Sequence, residues 1–512
     1  MAVRFDVSHR PRGEFLRGED CSPNGLSGIV SCSHGNMVSP NRRMATAWQG
    51  ESMIRGVRGF AYDDGVLKAG RISLADVARA CGTPTYVYAA RGIREAHEEV
   101  VAAWAPLGAK IHYAVKACSN LRVCRFLREL GAGMDVVSGG ELERSWLAGT
   151  PMSDISFAGV GKTDEEIAAA LSGAHSPLLG SPQTLRGADP TGRGPVGLFN
   201  VESRSELERI AHVASRLGVR ARCAVRVNPD VDAKAHAYTS TGRKENKFGI
   251  DVAGVPGVFD AFAGHPFLEL IGLHVHIGSQ VKVVEPYVEA VEALLDLLGR
   301  LETHGSHIES LSLGGGWAVD YGSGDAPPIR AYAEAVTPLL APFVAKGLQV
   351  ILEPGRSLVA ASGVLLTRVQ HLKESGERRF AICDAGMHTL IRPALYQARH
   401  FIWPVVCGAS TPPRGESPIA SEDLATYDVV GPICETSDVL GNECAMPRLA
   451  RGDLLAVFMA GAYGMTMTSN YNDRGRPAEV IVTDEGAVLV TERQTLADLL
   501  ATEENPRPLD LD

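Results

Sequence analysis

The chain has 512 residues, 45% of them hydrophobic and 21% charged, with a mean hydropathy of 0.00; these are globular values and exclude a largely disordered chain. The net charge of −10 offers no basic surplus for nucleic acid, and the richest apolar stretch, residues 454–463, falls far short of the ~20 residues that span a bilayer. Ten cysteines without a CxxC pair or metal-ligand spacing read as reduced thiols. No basic start followed by an apolar core marks secretion, so the expectation is a cytoplasmic protein that meets neither nucleic acid nor membrane.

Residues 1–58 are rich in Ser, Gly, Arg, Asn and His and hold no sustained period. They read as an irregular extension, disordered or untranslated, with Met44 and Met53 as alternative starts. Asp6, Glu14, Glu19, Asp20 and Glu51 break the acid-poor composition of a transit peptide. Residues 59–90 form an N-terminal segment whose TPTYVYA end predicts a strand that joins a later β domain.

From residue 91 to 357 short apolar runs alternate with amphipathic helical stretches. The runs are 110–116 (KIHYAVK), 134–138 (MDVVS), 155–159 (ISFAG), 198–203 (LFNVES), 221–229 (ARCAVRVNP), 270–279 (LIGLHVHIGS), 311–316 (LSLGGG) and 349–355 (QVILEPG). Helices are expected between them, as at 203–217 and 285–302. Eight βα units predict an α/β fold built on a closed (β/α)8 barrel rather than a doubly wound open sheet, because polar residues gather at the C-terminal ends of the runs, where barrel enzymes keep their chemistry. Residues 172–195, rich in Gly, Pro and Ser, read as a surface insertion, and the polar stretch 230–246 as a lid over the barrel mouth or an exposed loop. From 358 to 505 the rhythm gives way to strands separated by turns, including 364–371, 380–384, 454–458 and 479–483, which predict a C-terminal β-rich domain.

The chemistry-bearing residues sit at the run ends. Lys116 closes the first run; burial there disfavours its ammonium and exposes a nucleophilic amine, unless it simply reaches solvent. Gly278-Ser279-Gln280 follows the sixth run and Gly314-Gly315-Gly316 the seventh, and such loops bring backbone N–H groups close to a phosphate. Glu353-Pro354-Gly355-Arg356 follows the eighth and puts a carboxylate and a guanidinium at the mouth, either for function or as a structural ion pair. Lysine, phosphate cradle and carboxylate together are what pyridoxal 5'-phosphate requires. His274 and His276 share one strand face. That is also two-histidine metal spacing, but Asp135 is the only further ligand in view, so no metal is expected and a ring stacked on a flat cofactor fits better.

The motifs HYAVKA, GMDVVSGGE, FNVES, KFGI, HVHIGSQ, LGGG, EPGR, DAGM, IRPALY, GPICE and AYGMTMTSNYN together resemble the diaminopimelate decarboxylase family, pyridoxal-phosphate enzymes of the alanine-racemase-like barrel type. The resemblance spans about residues 59–495. It implies a barrel plus a β domain, and it implies roles. Lys116 would hold the cofactor covalently and His276 would stack on its ring. Gly278, Ser279, Gly315, Gly316 and the Gly355–Arg356 backbone would hold the phosphate, with Tyr463 nearby. Glu353 would pair with the ring nitrogen. Arg356, Arg392, Tyr396, Glu435 and Tyr463 would grip the far end of the substrate, and Cys434 would protonate the product. In relatives Cys434 and Glu435 reach the site from a second subunit, which implies a homodimer with shared active sites. Thr436-Ser437-Asp438 departs from the family, many members carrying a glycine near the second position.

A carboxylate at the ring nitrogen keeps it protonated and deepens the electron sink, which favours decarboxylation over racemisation; racemases of this fold place an arginine there. A substrate tail bearing both carboxylate and ammonium would use both Arg392 and Glu435, as meso-2,6-diaminopimelate does in giving L-lysine and CO2. Arg392 could instead cap a helix on the surface, and Cys434 could be a buried core thiol. A same-fold decarboxylase of D-ornithine, D-lysine or a carrier-bound glutamyl group, and a cofactor-binding regulator without turnover, stand as alternatives.

Overall fold

A computed structural model describes residues 56–173, 194–232, 246–408, 424–507 and 509. Most of the N-terminal extension, residues 174–193 of the expected insertion and residues 233–245 of the expected lid lie outside the described residues. At the edges the order reaches further than the sequence suggests. Val57 is buried, the Arg58 N–H donates to the Ala361 carbonyl at 2.9 Å, and Ser172 still belongs to the helix Asp164–Ser172.

Strands β1 (Phe60–Asp63), β2 (Val66–Ala69) and β3 (Ile72–Ser73) make a small antiparallel sheet. It is fastened by the Leu67 N–H to the Val405 carbonyl at 2.8 Å and the Tyr62 hydroxyl to the Pro404 carbonyl at 2.7 Å. Strand β4 (Thr85–Ala89), wholly buried, is the TPTYVYA element.

All eight predicted runs are parallel strands: β5 (Lys110–Ala114), β6 (Gly133–Val136), β7 (Ile155–Phe157), β8 (Leu198–Val201) and β9 (Ala221–Asn228), then, after the two-residue β10 (Ile250–Asp251), β11 (Leu268–His274), β12 (Ser310–Ser312) and β13 (Gln349–Leu352). They run β9-β11-β12-β13-β5-β6-β7-β8, and β8 pairs back with β9, so the sheet closes. Side chains alternate along a strand. Inside the barrel Leu198, Ala224, Ile271 and Ile351 form a separate apolar cluster. Two positions on from three of them come Asn200, Arg226 and Glu353, so the interior turns from apolar to polar toward the C-terminal end.

Local sequence stiffens that end. Ser138, Thr163 and Ser203 each cap the next helix by accepting the N–H of a glutamate three residues on, the capping-box spacing. The glutamates also tie neighbouring units together. Glu166 accepts the Gly139 N–H at 2.6 Å, and Glu206 accepts from buried Lys162 at 2.6 Å. Lys162 also donates to the carbonyls of Gly159 and Asn200 at 2.9 and 3.0 Å.

The remaining strands are β14 (Gly363–Ser375), β15 (Arg378–Cys383), β16 (Ile402–Pro404), β17 (Leu424–Val430), β18 (Val439–Pro447), β19 (Leu454–Val457), β20 (Ala478–Val482) and β21 (Ala487–Thr491). They form a second sheet in the order β18-β17-β15-β14-β4-β20-β21, with β19 pairing β14 and β16. β4 lies antiparallel to β14 and parallel to β20, so the segment before the barrel completes the sheet after it.

Replacing Lys162 by Met strips a buried carboxylate of its cation. This should cost about 3–5 kcal/mol of stability, read as a lower urea midpoint. An unchanged midpoint would show that Glu206 finds other compensation.

Candidate active site

Four strands converge on Glu353. It follows β13, and its N–H donates to the Gly314 carbonyl at 2.7 Å. Its carboxylate accepts from Asn200 Nδ2 of β8 at 3.0 Å and from Ser312 Oγ of β12 at 2.8 Å, both on Oε1. Its Oε2 lies 2.9 Å from His274 Nε2 at the end of β11. Burial alone would raise the carboxyl pKa. His274, Lys116 and Ser312 outweigh it and hold Glu353 well below the ordinary carboxylate value. The alternative of an ion pair with Arg356 is not what forms, and His274 is spent on Glu353 rather than set beside His276 for a metal.

Lys116, expected as the last residue of the first strand, lies two residues beyond its observed end at Ala114, in a single 3-10 turn, Val115–Ala117. Its amine is 3.4 Å from Asp135 Oδ2 of β6, which is fully buried. The sequence argument expected burial to favour the neutral amine. The outcome is the reverse: burial does oppose the charge, but Asp135, Tyr463, Glu353 and Glu141 together raise the lysine pKa above its usual value. Asp135 itself is pushed up to about 7, chiefly by burial and against the pull of Lys116. Its Oδ1 has no hydrogen-bond partner among the described residues. Weighed in the sequence only as a metal ligand, Asp135 is a site residue that reading missed, as are Asn200, Ser312 and Tyr321. Asn200 was legible within FNVES; nothing in the sequence marked Tyr321.

A cleft of about 1260 Å3 opens over these groups and is lined by Lys116, His276, Ser279, Glu353, Arg356, Arg392, Tyr396 and Tyr463 among others. A recess of about 30 Å3 lies beside it, bounded by Ser279, Gly316, Gly355 and Ser357 and sharing Lys116 and Arg356 with the cleft. Gly316 has φ +96°, and a Cβ there would stand 1.9 Å from the Gly278 carbonyl oxygen, so the loop must be glycine to pack this tightly. His276 Nδ1 accepts the Gly315 N–H at 3.3 Å. Arg226 of β9 is paired with Glu202 at 2.6 Å. The Tyr463 N–H donates to the Ala117 carbonyl at 2.7 Å, tying the second domain to the lysine turn. The Tyr463 ring lies 4.7 Å from the Arg356 guanidinium.

Arg392 begins the short helix Arg392–Tyr396 but is no surface cap, being only 5% exposed. Its Nη1 donates to the Tyr321 hydroxyl at 2.9 Å and to His400 Nε2 at 3.2 Å. Arg356 donates to the same Tyr321 oxygen at 3.0 Å and to Ser279 Oγ at 3.1 Å. Neither guanidinium has a carboxylate partner among the described residues.

Cys434 and Glu435 stand apart from this cleft. Both are exposed; the Cys434 N–H donates to Asn472 Oδ1 at 3.3 Å, and Glu435 accepts from Tyr471 at 3.0 Å and from Ser437. Cys434 is therefore not a core thiol. Buried Asp438 accepts the N–H groups of Met387 and Ile433 at 2.5 and 2.6 Å and anchors the loop.

His400 accepts from Arg392 through Nε2, so Nδ1 carries the hydrogen donated to the Phe458 carbonyl at 2.8 Å. Burial and then the Arg392 charge push its pKa down to about 3, and burial pushes His112 down to about 4. Unfolded histidine protonates near ~6.5, so below that pH the unfolded chain binds more protons than the fold. Stability should fall as pH drops from 6.5 toward these depressed values, by about 1.4 kcal/mol per pH unit for each histidine. Thermal midpoints between pH 7 and 5 test this, with a shallower slope for His400→Gln. An equal change in His400→Gln and wild type would contradict it, since Asp135, whose raised pKa favours the fold as pH falls, acts on both proteins alike.

Residues 90–360 match the family model described as pyridoxal-dependent decarboxylase, pyridoxal binding domain. A Pseudomonas aeruginosa protein named diaminopimelate decarboxylase is 44% identical over 445 residues, 87% of this chain and 98% of its own. The crystal structure of diaminopimelate decarboxylase from M. jannaschi matches with a TM-score of 0.77 at 34% identity, covering 88% of this chain and 98% of that one. The Helicobacter pylori enzyme complexed with L-lysine matches with a TM-score of 0.73 at 35% identity, covering 84% and 99%. With likeness at this level running through both the barrel and the β domain, the chain belongs to the diaminopimelate decarboxylase family.

Proposed function

We propose that the cleft removes one carboxyl group from meso-2,6-diaminopimelate, giving L-lysine and CO2, with pyridoxal 5'-phosphate held on Lys116. The residues present fit that cofactor. The amine of Lys116 meets an aldehyde's chemistry, the glycine-lined recess beside it suits a phosphate, and Glu353 Oε2, with His274 as its one partner among the described residues, keeps an acceptor site for a ring N–H. When bound, pyridoxal phosphate supplies the electron-accepting ring that takes up the electron pair released with CO2.

The chain's own residues do the rest. Glu353 stays ionised at neutral pH because its neighbours donate to it, so it holds a proton on the ring nitrogen rather than taking it. Asp135 keeps Lys116 charged until the amine is engaged. His276, set by the Gly315 N–H, offers a ring face. Ser279 and the backbone at Gly278, Gly316 and Gly355 bind phosphate, while the Gly315 N–H, expected to join them, is spent on His276 Nδ1. Arg356, Arg392, Tyr396 and Tyr463 orient the far end of the substrate. The observation that carries the substrate reading is the pair of guanidiniums, Arg356 and Arg392, in the lysine cleft without a carboxylate of the described residues to neutralise them: a far carboxylate on the substrate would do so.

CO2 release should be measured with meso-diaminopimelate, L-ornithine, D-ornithine and D-lysine, and the first should be strongly preferred. Preference for another would overturn the substrate while sparing the fold. Arg392→Ala should raise KM for meso-diaminopimelate about tenfold or more, from loss of a charged hydrogen-bonding partner.

The protein acts as a cytoplasmic homodimer in this reading. Cys434 gives the proton from Sγ to the carbon that lost its carboxyl group, and Glu435 holds the far ammonium, both in the partner's cleft. Their exposure away from their own cleft supports this. Inactive Lys116→Ala and inactive Cys434→Ala proteins, mixed under conditions that exchange subunits, should regain part of the activity, since one mixed dimer holds one intact site. No recovery would place the thiol elsewhere.

A further inference from the structure

We propose that Tyr321 is a positioning residue of the substrate clamp: its phenolic oxygen ties the Arg356 and Arg392 guanidiniums together, and its hydroxyl hydrogen is left to donate to the far carboxylate. The inference deepens the function proposed above and rests on it.

Tyr321 lies on the loop after β12, five positions beyond Gly316. Arginine can only donate, so the contacts at 3.0 Å from Arg356 Nη1 and 2.9 Å from Arg392 Nη1 both end on the phenolic oxygen. Two accepted bonds use its lone pairs, and no acceptor among the described residues takes its hydrogen. Tyr321 lines the cleft, and that hydrogen has the cleft to point into. The ring is fixed from two sides, with the Arg392 guanidinium 4.8 Å from its centroid and His400 edge-on at 5.5 Å and 88°. The buried Nε of each arginine also has no partner among the described residues. Two like charges sharing one pocket repel, and the oxygen between them is the only described atom that bonds both. Its removal should let them part, so the clamp would lose both its spacing and a donor.

The chemistry of the reaction supplies the probes. Decarboxylation at one end leaves the amino-acid group at the other, so L-lysine keeps the far carboxylate, whereas cadaverine has the same chain without it. Both are titrated by calorimetry into the cofactor-loaded wild type and Tyr321→Phe, alongside steady-state kinetics on meso-diaminopimelate. Tyr321→Phe should weaken L-lysine and raise KM about tenfold, the worth of a hydrogen bond to a charged group. It should leave kcat within about threefold and cadaverine binding within about twofold, since neither needs the far carboxylate. Equal weakening of cadaverine would mean general damage to the cleft and overturn the proposal, as would unchanged L-lysine binding in a wild type that prefers L-lysine. A wild type that binds cadaverine as well as L-lysine would instead overturn the underlying substrate reading.

Discussion

Keeping the Glu353 carboxylate ionised inside the barrel mouth is the constraint around which the site is arranged. An ion taken from water costs several kcal/mol unless donors replace its hydration. Here Asn200, His274 and Ser312 replace it, each from a different strand. Such an arrangement needs a closed barrel, because β8 is not a neighbour of β11, β12 or β13 and meets them only across the interior. Closure, and the switch from apolar to polar interior residues two positions along the strands, therefore come before any chemistry.

The charges of the cleft fall into separate local groups. Lys116 faces Asp135, Glu353 is held by Asn200, His274 and Ser312, and Arg356 and Arg392 share Tyr321. The lysine already has a carboxylate, so it is held as a cation in the chain itself. The two arginines have a phenol, a serine hydroxyl and a neutral histidine as hydrogen-bond partners but no carboxylate among the described residues, and that imbalance distinguishes them from the lysine. His400 stays neutral between Arg392 and a backbone carbonyl, so it supports the guanidinium without adding a third charge.

The second domain contributes in two directions. Toward its own barrel it supplies Tyr463, bonded to the lysine turn, and the helix that starts at Arg392. Away from that cleft it presents Cys434 and Glu435 on a loop anchored by Asp438. The anchor is a carboxylate accepting the backbone N–H groups of Met387 and Ile433, which fixes the loop.

Periodicity and strand-end chemistry were enough to place all eight barrel strands, the β-rich region after residue 358 and the strand at 85–89, because each depends on local pattern: apolar runs, turns and glycine loops. Lys116, Glu353 and the Gly314–Gly316 loop were likewise readable, being run ends with reactive or small side chains. What lay beyond the sequence was who meets whom. Asn200 and Glu353 are separated by 153 positions, Tyr321 and Arg392 by 71, and the Asp135–Lys116 pairing reversed the expected effect of burial on the amine. Local pattern sets which face of a strand a residue occupies; only closure of the barrel and docking of the second domain bring distant charges within a few ångströms, where they decide one another's ionisation.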